Sequence, residues 1–186
     1  MPSYKLSQSL ITEGEPVRSL AFTSKHLVSG SESGTLSSIP ISSGGDKLLN
    51  SEGSLLQPGG EGTRHSHHIT ALTSIALGSN DDSSFYATGC KDNLIRIFDS
   101  ETHAQVQTLR GHENAVTALS TLYIPLDNGT FKTILVSGSW DGSAKLWDVS
   151  CLSSGDVNIA CISTLDGHEN TVSVQGLPPI DQTIKS

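Results

Sequence analysis

Positive charge is scarce in this 186-residue chain: 11 Lys plus Arg stand against 19 Asp plus Glu, a formal net charge of −8. Docking on a phosphate backbone needs clustered Lys and Arg to displace counterions, so nucleic acid is not an expected partner. No run of 18 apolar residues occurs, so no membrane-spanning helix and no membrane partner are expected. Met1-Pro2-Ser3-Tyr4-Lys5-Leu6 lacks the charged stretch and apolar core of a secretory signal, which makes the cytoplasm and nucleus the expected location. The sequon Asn128-Gly129-Thr130 has no weight without export. Cysteine is also sparse. Cys90, Cys151 and Cys161 are odd in number and lack CxxC spacing, which fits neither a disulfide framework nor a zinc knuckle and leaves reduced packing residues. The absence of GxxxxGK and of a strand-linked GxGxxG removes the phosphate-cradling motifs, and no cofactor is expected.

What the chain has in quantity is Ser and Gly, 30 and 18, which with 7 Pro make about 30% of it, near the level at which disorder is suspected. The Ser and Gly recur beside short β-branched runs, as they do where many strands are joined by tight turns. One stretch differs. Ser42 to Arg64 carries six Gly and four Ser without alternation and reads as a flexible linker over 42–64.

The chain repeats itself. Gly111-His112-Glu113-Asn114-Ala115-Val116-Thr117 aligns with Gly167-His168-Glu169-Asn170-Thr171-Val172-Ser173, and the same frame falls on His65 through Leu72, giving His65, His112 and His168 at spacings of 47 and 56. That period is the length of a propeller blade with loop insertions. A second block follows each copy: Ala87-Thr88-Gly89-Cys90-Lys91-Asp92-Asn93 with Ile97-Phe98-Asp99, and Val136-Ser137-Gly138-Ser139-Trp140-Asp141-Gly142 with Leu146-Trp147-Asp148. Each reads as strand, tight turn, strand, with Asp-Asn or Asp-Gly where a two-residue hairpin turn needs positive φ. A weaker copy runs from Val17-Arg18-Ser19-Leu20 to Ser31-Glu32-Ser33-Gly34, without the His or the Trp.

Gly-His opening and Trp-Asp closing a four-stranded unit resembles the WD repeat. The resemblance implies an all-β fold, a WD-repeat β-propeller that is incomplete, with about three blades plus the start of a fourth. The blades are expected at about 12–41 (degenerate), 65–110 and 111–166, with a truncated fourth over 167–186. It also implies that His112, Ser137, Asp141 and Trp147 form a buried hydrogen-bonded tetrad. In the preceding unit His65, Thr88 and Asp92 match, but Phe98 stands in the Trp position and donates nothing, which leaves that tetrad one bond short. Ser, His and Asp in one unit invite a nucleophilic triad of Ser137, His112 and Asp141. Such a Ser needs an exposed elbow and an oxyanion hole, and no GxSxG is present, so no enzyme is expected. His65, His67 and His68 invite a metal, but alternate strand residues point apart and no Cys or carboxylate completes the set, so no metal is expected.

Beyond the generic repeat, Ser3-Tyr4-Lys5-Leu6-Ser7 with Val17-Arg18, Ile97-Phe98, Ser139-Trp140-Asp141 with Ala144-Lys145, and Gly167 through Val174 resemble the N-terminal propeller of the phospholipase A-2-activating protein family, the Doa/Ufd type. That resemblance implies a non-catalytic adaptor module that binds ubiquitin or ubiquitinated proteins in ubiquitin-dependent protein degradation. It implies a segregase ATPase as a further partner, reached through domains that this chain does not carry. The alternative is a generic WD scaffold for other protein or peptide partners. Residues that ring one mouth of a propeller are the candidate contacts: Trp140, Lys91, His68, Asn114 and Asn170, with Trp140 foremost because exposed Trp is enriched at binding hot spots. Packing of Trp140 against the neighbouring blade is the competing reading.

Closing a ring takes four or more blades. Val172 to Asp181 spans nine positions where Val116 to Asp141 spans 25 and Ile69 to Asp92 spans 23. With Pro178-Pro179 inside that gap, two strands and a turn do not fit. A truncated or mispredicted gene product is the expectation, an irregular tail over Gly176 to Ser186 the alternative, with Tyr4 to Ile11 as a strand awaiting a last blade.

Overall fold

The computed structural model describes residues 15–40, 54–56, 65–77, 84–127, 131–155 and 158–167. Asn170, the Tyr4 to Ile11 strand and nearly all of the fourth unit lie outside them. The described strands form three antiparallel sheets of four, each a meander in chain order. The first is β1 (Val17–Phe22), β2 (His26–Ser31), β3 (Leu36–Pro40) and β4 (Ser54–Leu56). The second is β5 (Ile69–Ala76), β6 (Ser84–Cys90), β7 (Ile95–Asp99) and β8 (Gln105–Leu109). The third is β9 (Val116–Pro125), β10 (Phe131–Ser139), β11 (Ala144–Asp148) and β12 (Cys161–Leu165), with a single 3-10 turn over Ser150–Ser154 before its last strand. The first strands of the sheets stand together, β5 against β1 on one side and against β9 on the other. That arrangement is the inner rim of a propeller, and it makes the sheets three successive blades of an incomplete one.

Strand β4 lies inside the stretch read from sequence as a flexible linker. Leu36, Ser37 and Ser38 pair with Leu56, Leu55 and Ser54. An outermost strand is paired along one side and needs little burial, so three residues make it without the alternation that marks an inner strand.

Period-two alternation gives each blade two faces, and the layers between blades are the core. Val28 and Leu36 of blade 1 meet Ile69, Tyr86 and Phe98 of blade 2. Ala87, Ile95, Ile97 and Leu109 of blade 2 meet Leu119, Leu135, Trp147 and Val149 of blade 3. Each such aliphatic or aromatic side chain contributes about 1.5–3 kcal/mol by leaving water. Tyr86 and Phe98 stack with centroids 5.1 Å apart.

The glycines of Ser29-Gly30 and Thr88-Gly89 mark where the next blade's inner strand comes close. A Cβ on Gly30 would lie 2.5 Å from Ile69 Cγ2, and one on Gly89 would lie 2.8 Å from Val116 Cγ1. At the end of the blades away from those glycines, His26 and His103 meet edge to face at 4.9 Å across the first interface, beside an ion pair of Lys25 with Glu101.

Candidate functional site

The hairpins between second and third strands differ from the sequence expectation. Positive φ falls on one residue of each turn, Gly34 (82°), Asn93 (67°) and Gly142 (80°), and not on the Ser33, Asp92 or Asp141 before it. In blade 3 Gly142 N–H donates to Ser139 C=O at 3.3 Å and Ser139 N–H to Ser143 C=O at 3.2 Å. That is a three-residue loop, a type I turn closed by a left-handed residue. The register puts Trp140 at the first corner of its turn, Lys91 at the same corner in blade 2 and Glu32 in blade 1. The backbone amide at that corner is tied to the loop leading into the same blade: Glu32 N–H to Pro16 C=O at 3.2 Å, Lys91 N–H to His68 C=O at 3.1 Å, Trp140 N–H to Ala115 C=O at 3.0 Å.

Beneath the blade 3 turn lies the expected tetrad. Trp147 Nε1–H donates to Ser137 Oγ at 2.9 Å, and Ser137 lies 2.8 Å from His112 Nε2. His112 Nδ1 lies 2.8 Å from Asp141 Oδ2. A carboxylate can only accept, so the neutral imidazole gives its Nδ1 proton to Asp141, and its bare Nε2 takes the Ser137 hydroxyl proton, with the Lys145 carbonyl a longer second acceptor at 3.4 Å. Asp141 also accepts from the Glu113 amide at 3.0 Å and the Ser143 amide at 2.8 Å. Burial pushes the His112 pKa down. Burial pushes the Asp141 carboxyl up, but its hydrogen bonds from Ser143, Glu113 and His112 outweigh that and hold it below the usual carboxylate range. Ser137 is fully buried and its oxygen already accepts the indole proton, so it presents no nucleophile.

Blade 2 corrects the reading of a tetrad short by one bond. Phe98 is fully buried at the Trp position, and Arg96, which the sequence reading passed over, enters the network. Its Nη1 donates to His65 Nδ1 and to Asp92 Oδ2 at 2.8 Å. His65 Nδ1 therefore accepts, its proton sits on Nε2 facing Thr88 Oγ1, and Thr88 passes its own proton to the Arg96 carbonyl at 3.3 Å. The relay runs opposite to that of blade 3, because the group on His Nδ1 is a guanidinium that donates in blade 2 and a carboxylate that accepts in blade 3. Burial, with Arg96 adding to it, lowers the His65 pKa. Burial pushes the Asp92 carboxyl up, but the Arg96 guanidinium at 2.8 Å outweighs that and holds it below its ordinary value.

The fold also brings Cys90 and Asp92 to His65, with ligand atoms all within 4.8 Å of one another, a set that the spacing of the His residues did not suggest. The Arg96 guanidinium bonds His65 and Asp92 within that set and excludes a second cation. Cys90 Sγ donates to His67 C=O at 3.2 Å and accepts from Asp92 N–H at 3.4 Å. Ser139 Oγ has the same two partners in blade 3, Asn114 C=O at 3.0 Å and Asp141 N–H at 3.1 Å. The thiol acts as a hydroxyl would, and burial pushes its pKa up to about 12.

Above these networks four of the five candidate contacts lie on the turns and loops of one mouth. Trp140 is 50% exposed, and the Lys91 ammonium stands 5.7 Å from the centre of its ring, so the residue both touches the neighbouring blade and faces solvent. Asn114 is exposed and His68 half-buried on the loops beside them.

The WD domain, G-beta repeat, matches residues 61–99 and 103–148. The chain carries WD repeats. It is 32% identical over 115 residues to phospholipase A-2-activating protein of Xenopus laevis, covering 61% of this chain and 12% of that protein. It is 41% identical over 63 residues to protein transport protein sec13 of Aspergillus oryzae, covering 33% of this chain and 20% of that one. Among solved structures the WD40 propeller domain of Doa1 superposes with a TM-score of 0.60 at 21% identity, over 92% of this chain and 47% of that one. U3-55K gives 0.62 at 22%, over 88% and 43%. At these identities the structural likeness is one of fold. The WD-repeat chain spans less than half of each solved propeller and about an eighth of the phospholipase A-2-activating protein. WD propellers are protein-interaction modules, typically non-catalytic scaffolds, and the matching family is not a catalytic one.

Proposed function

We propose that this WD-repeat chain is an adaptor module that binds ubiquitin or ubiquitinated proteins at the mouth formed by the turns of Lys91 and Trp140, and serves ubiquitin-dependent protein degradation in the cytoplasm and nucleus. The observation that carries the reading is the half-exposed Trp140 with Lys91 beside it, in a chain similar to phospholipase A-2-activating protein. A large amphipathic ring held by a rigid backbone is the kind of group that dominates protein interfaces. A segregase ATPase would be engaged through other domains of such an adaptor. The test is a titration of isotope-labelled chain with ubiquitin followed by NMR. Shifts gathered on residues 66–68, 91–93, 113–115 and 140–142 are expected, and no shift at these positions up to millimolar ubiquitin refutes the reading.

A second reading, a WD scaffold for other protein or peptide partners, draws on the sec13 match, whose identity over its shorter span is higher. It predicts the same mouth shifting with another ligand and staying still with ubiquitin.

A further inference from the structure

We propose that the mouth recognises a carboxylate flanked by aliphatic side chains on its protein partner, with Lys91 and Trp140 as the two contacts; this rests on the mouth being the interaction face. The rim carries donors that the described residues leave unmet. Among the described residues Lys91 has no carboxylate within ion-pair reach, because Asp92 beside it is taken by Arg96 at 2.8 Å and Glu32, at the matching corner of blade 1, is taken by Arg18. The Lys91 ammonium has the Trp140 ring face as its neighbour, an attraction that leaves its N–H groups pointing outward. The Trp140 indole N–H donates to no described residue. Asn114 has its side-chain oxygen occupied by the Ala115 amide at 2.8 Å, so what it has left to offer is its NH2.

Three donor groups and a half-exposed aromatic plate thus meet at one rim, and the acceptors near them, Glu113 apart, are spent inside the fold. The complement of such a surface is an anionic acceptor next to apolar carbon, in protein terms an Asp or Glu beside Leu, Ile or Val. A charged acceptor is favoured over an amide because charge-assisted hydrogen bonds are about twice as strong as neutral ones. Glu113 carries the opposing charge on this rim. Its backbone is held by Asp141 and by Asn93, while its exposed side chain is in none of the ion pairs of the described residues. Its charge weakens the attraction for an acid.

The test uses two peptides that differ only in charge, acetyl-Leu-Asp-Leu-amide and acetyl-Leu-Asn-Leu-amide, titrated into the labelled chain while the two indole N–H signals are followed. Trp147, buried beneath the turn, reports whether the fold is intact. The Trp140 indole is expected to shift with the Asp peptide and much less with the Asn peptide, and the difference should shrink as salt rises. Lys91→Met should weaken the Asp peptide by about three- to fivefold, the scale of an exposed ion pair, and leave the Asn peptide unchanged. Glu113→Gln should strengthen the Asp peptide. If both peptides bind alike, or K91M leaves the difference in place with the Trp147 signal unmoved, the carboxylate reading is overturned. The parallel ubiquitin titration keeps the two readings apart: ubiquitin moving the mouth while the peptides bind alike refutes the carboxylate alone, and a mouth that neither moves refutes both.

Discussion

The opposite directions of the two hydrogen-bond relays give a prediction that no single contact would. Trp147→Phe places in blade 3 the residue that blade 2 already has. It removes the indole donor to Ser137 Oγ, a loss of about 1 kcal/mol, and leaves a gap where the larger ring stood, about 1–2 kcal/mol more. Blade 2 tolerates phenylalanine because Arg96 pairs with Thr88 across the ladder and supplies the proton that His65 accepts. Lys145 pairs with Ser137 in the same way, but its ammonium turns outward to Thr164 at 3.0 Å. Lys145→Arg in the otherwise unchanged chain should therefore change stability by less than about 0.5 kcal/mol, since His112 Nδ1 already donates to Asp141 and has no place for a guanidinium. In the Trp147→Phe background the same change should recover about 1 kcal/mol, because Ser137 Oγ is then short of a donor, and His112 Nε2–H supplies one once Nδ1 accepts from the arginine and Ser137 turns its own proton to the Lys145 carbonyl. Urea unfolding of the four proteins of the cycle, followed by far-ultraviolet circular dichroism with m-values checked for equality, measures the coupling directly. Additive effects within about 0.3 kcal/mol would refute the reversal of the relay, however large the cost of Trp147→Phe itself.

Three other outcomes follow from the same geometry. Arg96→Met should cost about 3–5 kcal/mol, since it leaves the Asp92 carboxylate and His65 buried without their cation; a loss under about 1 kcal/mol in urea unfolding would contradict its place in the network. Gly34→Ala should cost about 1–3 kcal/mol, because φ is +82° and the new Cβ would lie 2.5 Å from the His65 carbonyl oxygen; the same change at exposed Gly155, φ +75° with open space around it, carries the backbone strain without the clash and should cost less. Acid should destabilise the fold in two stages. His65, His103 and His112 have folded pKa values below 6.5, so the unfolded chain binds protons first and stability falls as pH drops below 6.5. Asp92 and Asp141 sit below 3.8, so their contribution is intact above that value and is lost beneath it. A melting temperature flat from pH 7 to 5 would contradict the first stage.

The sequence was most informative where chemistry repeats at a fixed interval. The His65 and His112 frame and the Asp of the turns in blades 2 and 3 could be read from spacing, and the resemblance to the WD repeat joined Ser137 and Thr88 to them as one buried polar network, whose need for partners fixes those residue types. Arg96 was hidden by its type: in a strand of alternating residues an arginine reads as solvent-facing, and only the missing indole at Phe98 hinted that some other donor was required. Asp92-Asn93 and Asp141-Gly142 marked the turns without showing their length, since one left-handed residue closes a three-residue loop as well as two close a shorter one. Strand β4 was hidden because an outermost strand is paired along one side only and three residues are too few to show a period.

The amide tie at the first corner of each turn has a consequence for how such a surface changes over generations. The bond is made by the backbone, so it is indifferent to the side chain, and the three blades put Glu, Lys and Trp on the same peptide geometry. A mutation there alters what the mouth presents while the scaffold below keeps every bond it had. Selection can then rewrite the partner one corner at a time, as letters on a fixed line, without passing through unfolded intermediates.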